Sequence, residues 1–133
     1  MKAYLFVCVH NAGRSQMAEA FVNHYAKLHG ISVRGASAGT VGGKSLNPAA
    51  VQAMEEVGIA MAGQTPKLLT QAMIGPDTQV FTMGCGVDAE ACPARFVVSE
   101  DWGLDDPAGQ GIDAVRKIRD EIEKRVRRLL GIL

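Results

Sequence analysis

The sequence has no excess of charge of either sign and no long apolar run. Its 133 residues include 14 lysines and arginines and 14 aspartates and glutamates, so the formal net charge is zero. A balanced chain lacks the basic field that attracts nucleic acid or anionic lipid, and we expect neither as a partner. No apolar run approaches the roughly 20 residues of a membrane span, and Met1-Lys2 leads into a strand pattern without a signal-peptide composition. These absences predict a cytoplasmic protein.

Motifs that would hold a metal or a nucleotide are also missing. The sequence contains no C-x-x-C and no H-E-x-x-H, so we expect no metal site. It has neither a Walker A motif nor a G-x-G-x-x-G fingerprint, which leaves nucleotide binding without support. Three cysteines do not make a disulfide framework in a cytoplasmic chain, and a chain of 133 residues buries enough surface to fold without one. We expect a single domain over residues 1–133, a monomer and no tightly bound cofactor.

Apolar runs alternate with helical patterns along the chain, and this alternation predicts an α/β fold. The expected architecture is a doubly wound, four-stranded parallel sheet with helices on both faces. Asn47-Pro48 predicts the N-cap and first turn of one helix, and Thr65-Pro66 repeats that signal. We expect strands at 3–7, 32–36, 79–83 and 95–98, and helices at 15–28, 48–58, 66–73 and 111–130.

A cysteine and an arginine bracket the loop between the first predicted strand and the first predicted helix. The loop reads Cys8-Val9-His10-Asn11-Ala12-Gly13-Arg14-Ser15, a C-x5-R-S pattern. Backbone amides in such a loop, together with the positive end of a helix dipole, form a cradle for an oxyanion. A thiol at this place is partly ionised at neutral pH. We therefore predict that these eight residues bind a tetrahedral oxyanion and that Cys8 is the nucleophile.

The other residues of the loop fit the same chemistry. Arg14 offers two parallel donors to the oxygens of phosphate or arsenate, and Ser15 either caps the helix or donates to the sulfur. Asn11 and Gly13 tolerate the positive φ angles of a tight ring of amides. His10 has no evident triad partner and is interpreted as a loop residue rather than a base. The alternative is a buried structural cysteine at a strand end, with the arginine on the surface.

Two further cysteines and an Asp-Pro pair are candidates for later steps. Cys85 and Cys92 lie in a glycine-flanked segment after the third predicted strand, where a mobile dithiol suits a disulfide relay. Spacing alone fits two incidental small residues as well. Asp106 precedes Pro107, a rigid setting for a proton donor, with a helix cap or a turn as the alternative.

The segment from Cys8 to Glu19 resembles the signature of the arsenate reductases built on the low-molecular-weight tyrosine phosphatase fold. The resemblance covers nearly the whole chain, because 37–39, 84–93, 102–109 and 118–122 follow in the family's order. Several ordered motifs are more specific than the loop alone. The resemblance implies the phosphatase-like fold and an arsenate-reducing enzyme.

The resemblance also implies a role for each candidate residue. Cys8 attacks arsenate held by the loop amides and by Arg14, and Asp106 protonates the departing oxygen. Cys85 then attacks the Cys8–arsenic adduct, which releases arsenite and leaves a disulfide between these two cysteines. Cys92 takes over Cys85, and thioredoxin reduces the resulting Cys85–Cys92 disulfide.

Two departures from the family pattern concern potassium and the electron donor. Some members bind potassium through an Asn, a Glu, a Ser and an Asp. Asn11, Glu19 and Ser37 match the first three, whereas Lys67 stands at the place of the Asp. A lysine ammonium replaces an ion there, so we expect no potassium dependence. Other parts of the chain are similar to members that use mycothiol with a glutaredoxin-like partner, but the longer gap between the two later cysteines favours thioredoxin.

The nearest alternative is a low-molecular-weight protein tyrosine phosphatase, which shares Cys8, Arg14 and the Asp-Pro acid. Against it, Gln16 follows Ser15 where these phosphatases carry Pro, and no tyrosine follows Pro107. A phosphatase also has no use for the later pair of cysteines. Weak phosphatase side activity is still expected, because the same loop binds phosphate esters. A third class, a non-catalytic oxyanion sensor, leaves the acid and the dithiol unused.

Overall fold

The computed structural model describes residues 2–41, 43, 45–61, 63–84, 98–105 and 109–132. Within them, four strands form one parallel sheet in the order β2-β1-β3-β4. The strands are β1 (Lys2–Cys8), β2 (Val33–Gly39), β3 (Thr78–Thr82) and β4 (Val98–Asp101), and the helices are α1 (Arg14–His29), α2 (Pro48–Glu56) and α3 (Ile112–Leu130). The predicted α/β class and four-stranded parallel sheet are confirmed.

Strand β1 is central and pairs on both sides, with β2 and with β3. Its side chains alternate between two buried faces, Leu5 and Val7 on one and Tyr4 and Phe6 on the other. The chain first connects β1 to β2 on one side and then returns past β1 to β3. In an open parallel sheet, the crevice outside the strand ends at such a reversal is where ligands bind.

The Tyr4 and Phe6 face carries the larger core, on which all three α-helices pack. The rings of Phe6, Phe81 and Trp102 lie with their centroids 5.3 to 5.5 Å apart. The helices complete this core with the buried side chains of Met17, Phe21, Met54, Val115, Ile122 and Val126. The last helix, α3, therefore presents one apolar face to this core.

The opposite face of the sheet is covered by the segment that follows residue 66. The helix expected at 66–73 is wrong for its first part, since only Gln71–Met73 form a single 3₁₀ turn. Instead, Leu69 N donates to Gly39 O at 2.8 Å and Gly39 N donates to Lys67 O at 2.7 Å. This pairing with the end of β2 satisfies backbone groups that a helix would have bonded internally. Leu69 is fully buried there.

Two strand boundaries differ from those expected. β2 continues to Gly39, beyond the predicted 32–36, because it pairs with β1 along its whole length and Cys8 lies opposite Gly39. β4 spans Val98–Asp101 rather than 95–98, and residues 95–97 lie outside the described residues. All four side chains of β4 are exposed at the sheet edge, so no apolar alternation marks it in the sequence.

The boundaries of the three α-helices lie within two residues of those expected. Asn47 caps α2, with its Oδ1 2.9 Å from Ala49 N, and Gly30 ends α1 in the left-handed region with φ 64°. Helices α2 and α3 are joined by Glu56, which accepts from Arg116 and Arg119 at 2.6 to 3.2 Å. Hydrogen bonds from Arg116, more than those from Arg119, lower the pKa of Glu56. Within the described residues, every helix is too short or too polar to cross a membrane.

Candidate active site

The predicted oxyanion loop lies at the carboxyl end of β1, where the chain connection reverses. Cys8 is the last residue of β1 and Arg14 the first of α1, so the loop joins the sheet directly to a helix N-terminus. The carbonyl groups of Cys8, Val9 and Ala12 accept hydrogen bonds from backbone amides within 40–47 at 2.8 to 3.0 Å. Because these carbonyl oxygens bind amides outside the loop, they point away from its interior. Carbonyl oxygens in the interior would repel an anion.

The Cys8 thiol is buried in this loop, and its hydrogen-bonding neighbours among the described residues include Asn11 and Ser15. Its Sγ lies 3.1 Å from the backbone N of Asn11 and 2.9 Å from Oγ of Ser15. Ser15 Oγ accepts from Asn11 Nδ2 at 2.7 Å, and because a thiolate carries no proton, the hydroxyl is the donor to the sulfur when Cys8 is ionised. Both donors, together with the positive end of α1, favour the thiolate. Ser15 therefore contacts the sulfur, while the N-cap of α1 is Gly13 and has no side-chain cap.

The backbone of the loop follows the prediction at one position and departs from it at another. Asn11 has φ 55° and is the only non-glycine residue with positive φ in the described part of the chain. The prediction of positive φ is wrong for Gly13, whose φ is −136°. Gly13 serves instead as the N-cap, and its carbonyl accepts the first helical hydrogen bond from Met17 N at 2.9 Å. An N-cap residue needs a non-helical backbone but no left-handed one.

Arg14 is buried rather than on the surface, with 7% of it exposed. Its Nη1 donates to the carbonyl oxygens of Leu104 at 2.9 Å and Met83 at 3.3 Å. These carbonyls belong to the segments that follow β4 and β3, so the guanidinium is held from the carboxyl ends of two neighbouring strands. A buried arginine fixed in this way is pre-oriented for bidentate recognition of an oxyanion.

Glu19, Ser37 and Lys67 meet behind the loop, as their match to the family's potassium ligands implies. Ser37 Oγ donates to Glu19 Oε1 at 2.7 Å, and Lys67 Nζ lies 3.4 Å from the same oxygen. The Lys67 ammonium also donates to the carbonyl oxygen of Thr65 at 3.1 Å. A positive charge of the chain itself therefore lies against the carboxylate. Across the described residues, no three His, Cys, Asp or Glu side chains gather as metal ligands.

Gln16 and Gln64 are two site residues that sequence reasoning missed. Gln16 is fully buried, and its amide lies between the loop and the segment 64–67. Gln64 donates to the side-chain and backbone oxygens of Gln16 at 2.7 and 3.1 Å. The one feature of the sequence that could have identified Gln16 is its polar side chain in the first turn of an otherwise apolar helix face, where phosphatases carry Pro.

Three predicted site residues, Cys85, Cys92 and Asp106, lie outside the described residues. The described residues that adjoin them form part of the site, because Met83 and Leu104 both bind Arg14. The two other side chains of the predicted loop, Val9 and His10, are half-buried and exposed respectively.

A thiol held by an amide and a hydroxyl at the switch point of a parallel sheet is the arrangement expected for a cysteine nucleophile in an α/β protein. A family model described as low molecular weight phosphotyrosine protein phosphatase matches residues 3–133, and the chain belongs to that family. The low-molecular-weight phosphatase-like fold is therefore confirmed.

Within this family, the chain is similar to proteins named as arsenate reductases. The arsenate reductase of Bacillus subtilis is 37% identical over 95% of this chain and 93% of its own length. The glutaredoxin arsenate reductase of Synechocystis is 34% identical over 98% of both chains. A solved thioredoxin-dependent arsenate reductase of Corynebacterium glutamicum is 37% identical, with a TM-score of 0.76 over 98% of this chain and 61% of that one. These names confirm the resemblance to arsenate reductases and the prediction of an enzyme.

Proposed function

We propose that this protein reduces arsenate to arsenite, with Cys8 as the nucleophile. The observation that carries the proposal is the Cys8 sulfur itself, which lies 3.1 Å from the Asn11 amide and 2.9 Å from the Ser15 hydroxyl at the start of α1. That environment favours a thiolate beside a cradle for a tetrahedral anion. Relatives that match nearly the whole chain carry the name arsenate reductase.

In the first step, the Cys8 thiolate attacks arsenate bound by the loop amides and Arg14. A sulfur–arsenic bond forms while an arsenic–oxygen bond breaks, and the oxygen leaves as water with a proton from Asp106. Because the loop presents donors and the helix dipole to the anion, negative charge is stabilised as the bond forms. Arsenic is still pentavalent at this stage.

In the second step, Cys85 attacks the Cys8 sulfur. The electron pair of the sulfur–arsenic bond stays on arsenic, so arsenic is reduced and leaves as arsenite, while Cys8 and Cys85 are oxidised to a disulfide. Cys92 then exchanges with Cys85, which frees Cys8 for another turnover. The relay rests on the sequence and on the resemblance to the family.

Thioredoxin is the proposed electron donor, and it reduces the Cys85–Cys92 disulfide. The names of relatives include both a thioredoxin-dependent and a glutaredoxin enzyme, and the two donors are distinguished by the coupled assay below. We further propose a monomeric, cytoplasmic protein that needs no bound metal. Sedimentation of the reduced protein tests the oligomeric state.

The experiment is arsenate-dependent NADPH oxidation by the reduced protein, coupled through thioredoxin and thioredoxin reductase. We expect steady turnover in the wild type and none in Cys92→Ser, which cannot pass the disulfide onward. Replacement of the thioredoxin couple by a glutaredoxin or mycothiol couple is the matched comparison. Turnover only with the second couple would retain arsenate reduction and overturn the donor.

A second candidate function is phosphate-ester hydrolysis, because the family model is that of a phosphatase. The same loop, arginine and acid suffice for this reaction, with water in place of the second thiol. We expect weak hydrolysis of p-nitrophenyl phosphate that Cys92→Ser retains. Absence of arsenate turnover with every donor, combined with strong hydrolysis, would make the protein a phosphatase.

A further inference from the structure

A chain of side-chain hydrogen bonds connects the protein surface to the Cys8 sulfur. It begins at Gln64, which is partly exposed, and continues through the buried side chains of Gln16, Asn11 and Ser15. The steps are Gln64 Nε2 to Gln16 Oε1 at 2.7 Å, Gln16 Nε2 to Asn11 Oδ1 at 2.8 Å, Asn11 Nδ2 to Ser15 Oγ at 2.7 Å, and Ser15 Oγ to Cys8 Sγ at 2.9 Å. Gln64 donates to Gln16, and the amides of Gln16 and Asn11 each accept from the surface side and donate towards the thiol.

Backbone groups fix the direction of every amide in this chain. The Lys67 N–H, which can only donate, lies 2.8 Å from Asn11 Oδ1 and identifies that atom as the oxygen. Gln16 Nε2 lies 3.0 Å from Asn11 O and 2.9 Å from Thr65 O, which can only accept. Gln64 Nε2 similarly lies 3.1 Å from Gln16 O. Reversal of any one amide would set two acceptors or two donors against each other.

We propose that Gln16 and Gln64 are positioning residues that direct the Ser15 proton onto the Cys8 sulfur. Gln64 orients the Gln16 amide, Gln16 orients Asn11, and Asn11 occupies the acceptor side of the Ser15 hydroxyl. With one acceptor position of the hydroxyl filled by Asn11, its proton is available to the ionised Cys8 sulfur, where it stabilises the thiolate. The inference deepens the proposed function, because it rests on Cys8 being the nucleophile.

The segment 64–67 thus acts on the thiol without touching it. Among the described residues, the charged and titratable groups near this chain are Arg14 at the start of the same helix and the pair of Glu19 and Lys67 behind Asn11. Two histidines are also close, His10 in the loop and His24, which lines a surface cavity together with Gln64. All of them remain when Gln64 is changed, so a change in thiol acidity would report the amide chain. Gln64 is the residue to vary, since Gln16 is fully buried and its substitution endangers the fold.

Two substitutions at position 64 separate hydrogen bonding from packing. Gln64→Met keeps the bulk but removes the donor, while Gln16 keeps its three acceptors and much of its orientation. Gln64→Glu places a carboxylate against Gln16 Oε1, so the Gln16 amide turns to donate to it and withdraws its N–H group from Asn11. We expect the acid dissociation constant of Cys8 to fall about threefold in Gln64→Met and about tenfold in Gln64→Glu.

The measurement is the pH dependence of Cys8 alkylation by iodoacetamide, with Cys85 and Cys92 replaced by serine so that one thiol reacts. It needs neither arsenate nor an electron donor, so its failure is separate from failure of the proposed reduction. Thr65→Glu is the matched control, because it adds the same charge one residue away on an exposed side chain. Circular dichroism and urea unfolding establish that each variant is folded.

The pKa of the Cys8 thiol should be lowest in the wild type, higher in Gln64→Met and highest in Gln64→Glu. In Thr65→Glu it should stay close to the wild-type value. An unchanged alkylation midpoint in folded Gln64→Glu would overturn the proposal. Equal shifts in Gln64→Glu and Thr65→Glu would also overturn it, since charge alone would then account for the effect. If Gln64→Glu does not fold, Gln64→Met decides, and a midpoint equal to that of the wild type refutes the amide chain.

Discussion

Among the side-chain contacts of Cys8, the hydrogen bond from the Ser15 hydroxyl is the one whose removal should raise the pKa of the thiol most. Ser15→Ala deletes the donor 2.9 Å from the sulfur and leaves Asn11 Nδ2 without the acceptor it has at 2.7 Å. A hydrogen bond to a charged group contributes about 1.5–3 kcal/mol, and one pKa unit corresponds to about 1.4 kcal/mol. The pKa of the Cys8 thiol should therefore rise by about one to two units. The buried, unsatisfied amide should in addition destabilise the fold by about 1–3 kcal/mol.

The assay is again the pH dependence of alkylation, in a background where Cys85 and Cys92 are serine. The midpoint of the profile, rather than a rate at one pH, is the proper readout. A thiolate of higher pKa is also a stronger nucleophile, with a Brønsted slope of about 0.4–0.5, so rates below the midpoint understate the change. Thiolate absorbance in the ultraviolet gives the same midpoint without a reagent.

Ser37→Ala is the matched control, because Ser37 is an equally buried serine whose hydroxyl donates to Glu19 and does not contact the thiol. It should destabilise the protein to a similar degree and leave the alkylation midpoint unchanged. A midpoint that is the same in Ser15→Ala as in the wild type would refute the assignment of Ser15 as a donor to the thiolate. A midpoint that moves equally in both variants would assign the effect to general loosening of the fold.

Three further predictions concern the surroundings of the loop. Because the Lys67 ammonium lies 3.4 Å from Glu19 Oε1, turnover should not respond when potassium replaces sodium at fixed ionic strength, and a clear rise would contradict this. Arg116 lowers the pKa of Glu56 in the folded protein, so the ionised form of Glu56 stabilises the fold. The difference in the free energy of unfolding between wild type and Glu56→Gln, measured with urea, should be present at neutral pH. It should vanish as the pH falls below 4.5. Gly84→Ala would place a Cβ 2.6 Å from the backbone after β4 at φ 80°, and should destabilise the protein by about 2–4 kcal/mol in the same measurement. Gly58 has a similar φ of 78° but open space around it, so Gly58→Ala should lose only the stability that the strained backbone conformation costs. Equal losses of stability in Gly58→Ala and Gly84→Ala would refute the close approach of residue 84 to the backbone after β4.

Local chemistry was enough to predict the elements that position the loop. The apolar run of β1, the cap at Asn47 and the left-handed end at Gly30 follow from residues that are neighbours in sequence. The predictions of secondary structure failed where backbone pairing with a remote part of the chain prevailed over the local preference for a helix. Thr65-Pro66 carries a helix-start signal, but the backbone that follows bonds to Gly39, which is remote in the chain.

In the site too, contacts between sequence neighbours were predictable, whereas contacts between remote parts of the chain were not. Cys8, Asn11 and Ser15 lie within one turn and a loop, so their proximity was predictable from residue type and spacing, and their contacts are 2.7 to 3.1 Å long. The burial of Arg14 was not predictable, because it depends on carbonyl oxygens that lie 69 and 90 positions further along the chain. Gln16 and Gln64 were missed for the same reason, since they are 48 positions apart.

These contacts also bear on how the proposed reductase would distinguish arsenate from phosphate. The loop amides, the helix dipole and Arg14 respond to charge and tetrahedral shape, which the two anions share, so both should bind and both should react with Cys8. Selectivity then arises after the first attack. A sulfur–arsenic bond can yield its electron pair to arsenic when a second thiol attacks, whereas a phosphoryl–sulfur adduct can only be hydrolysed. On this reasoning, changes at Ser15 and Gln64 should weaken both activities together, because both depend on the Cys8 thiolate. Removal of Cys85 or Cys92 should abolish arsenate turnover alone.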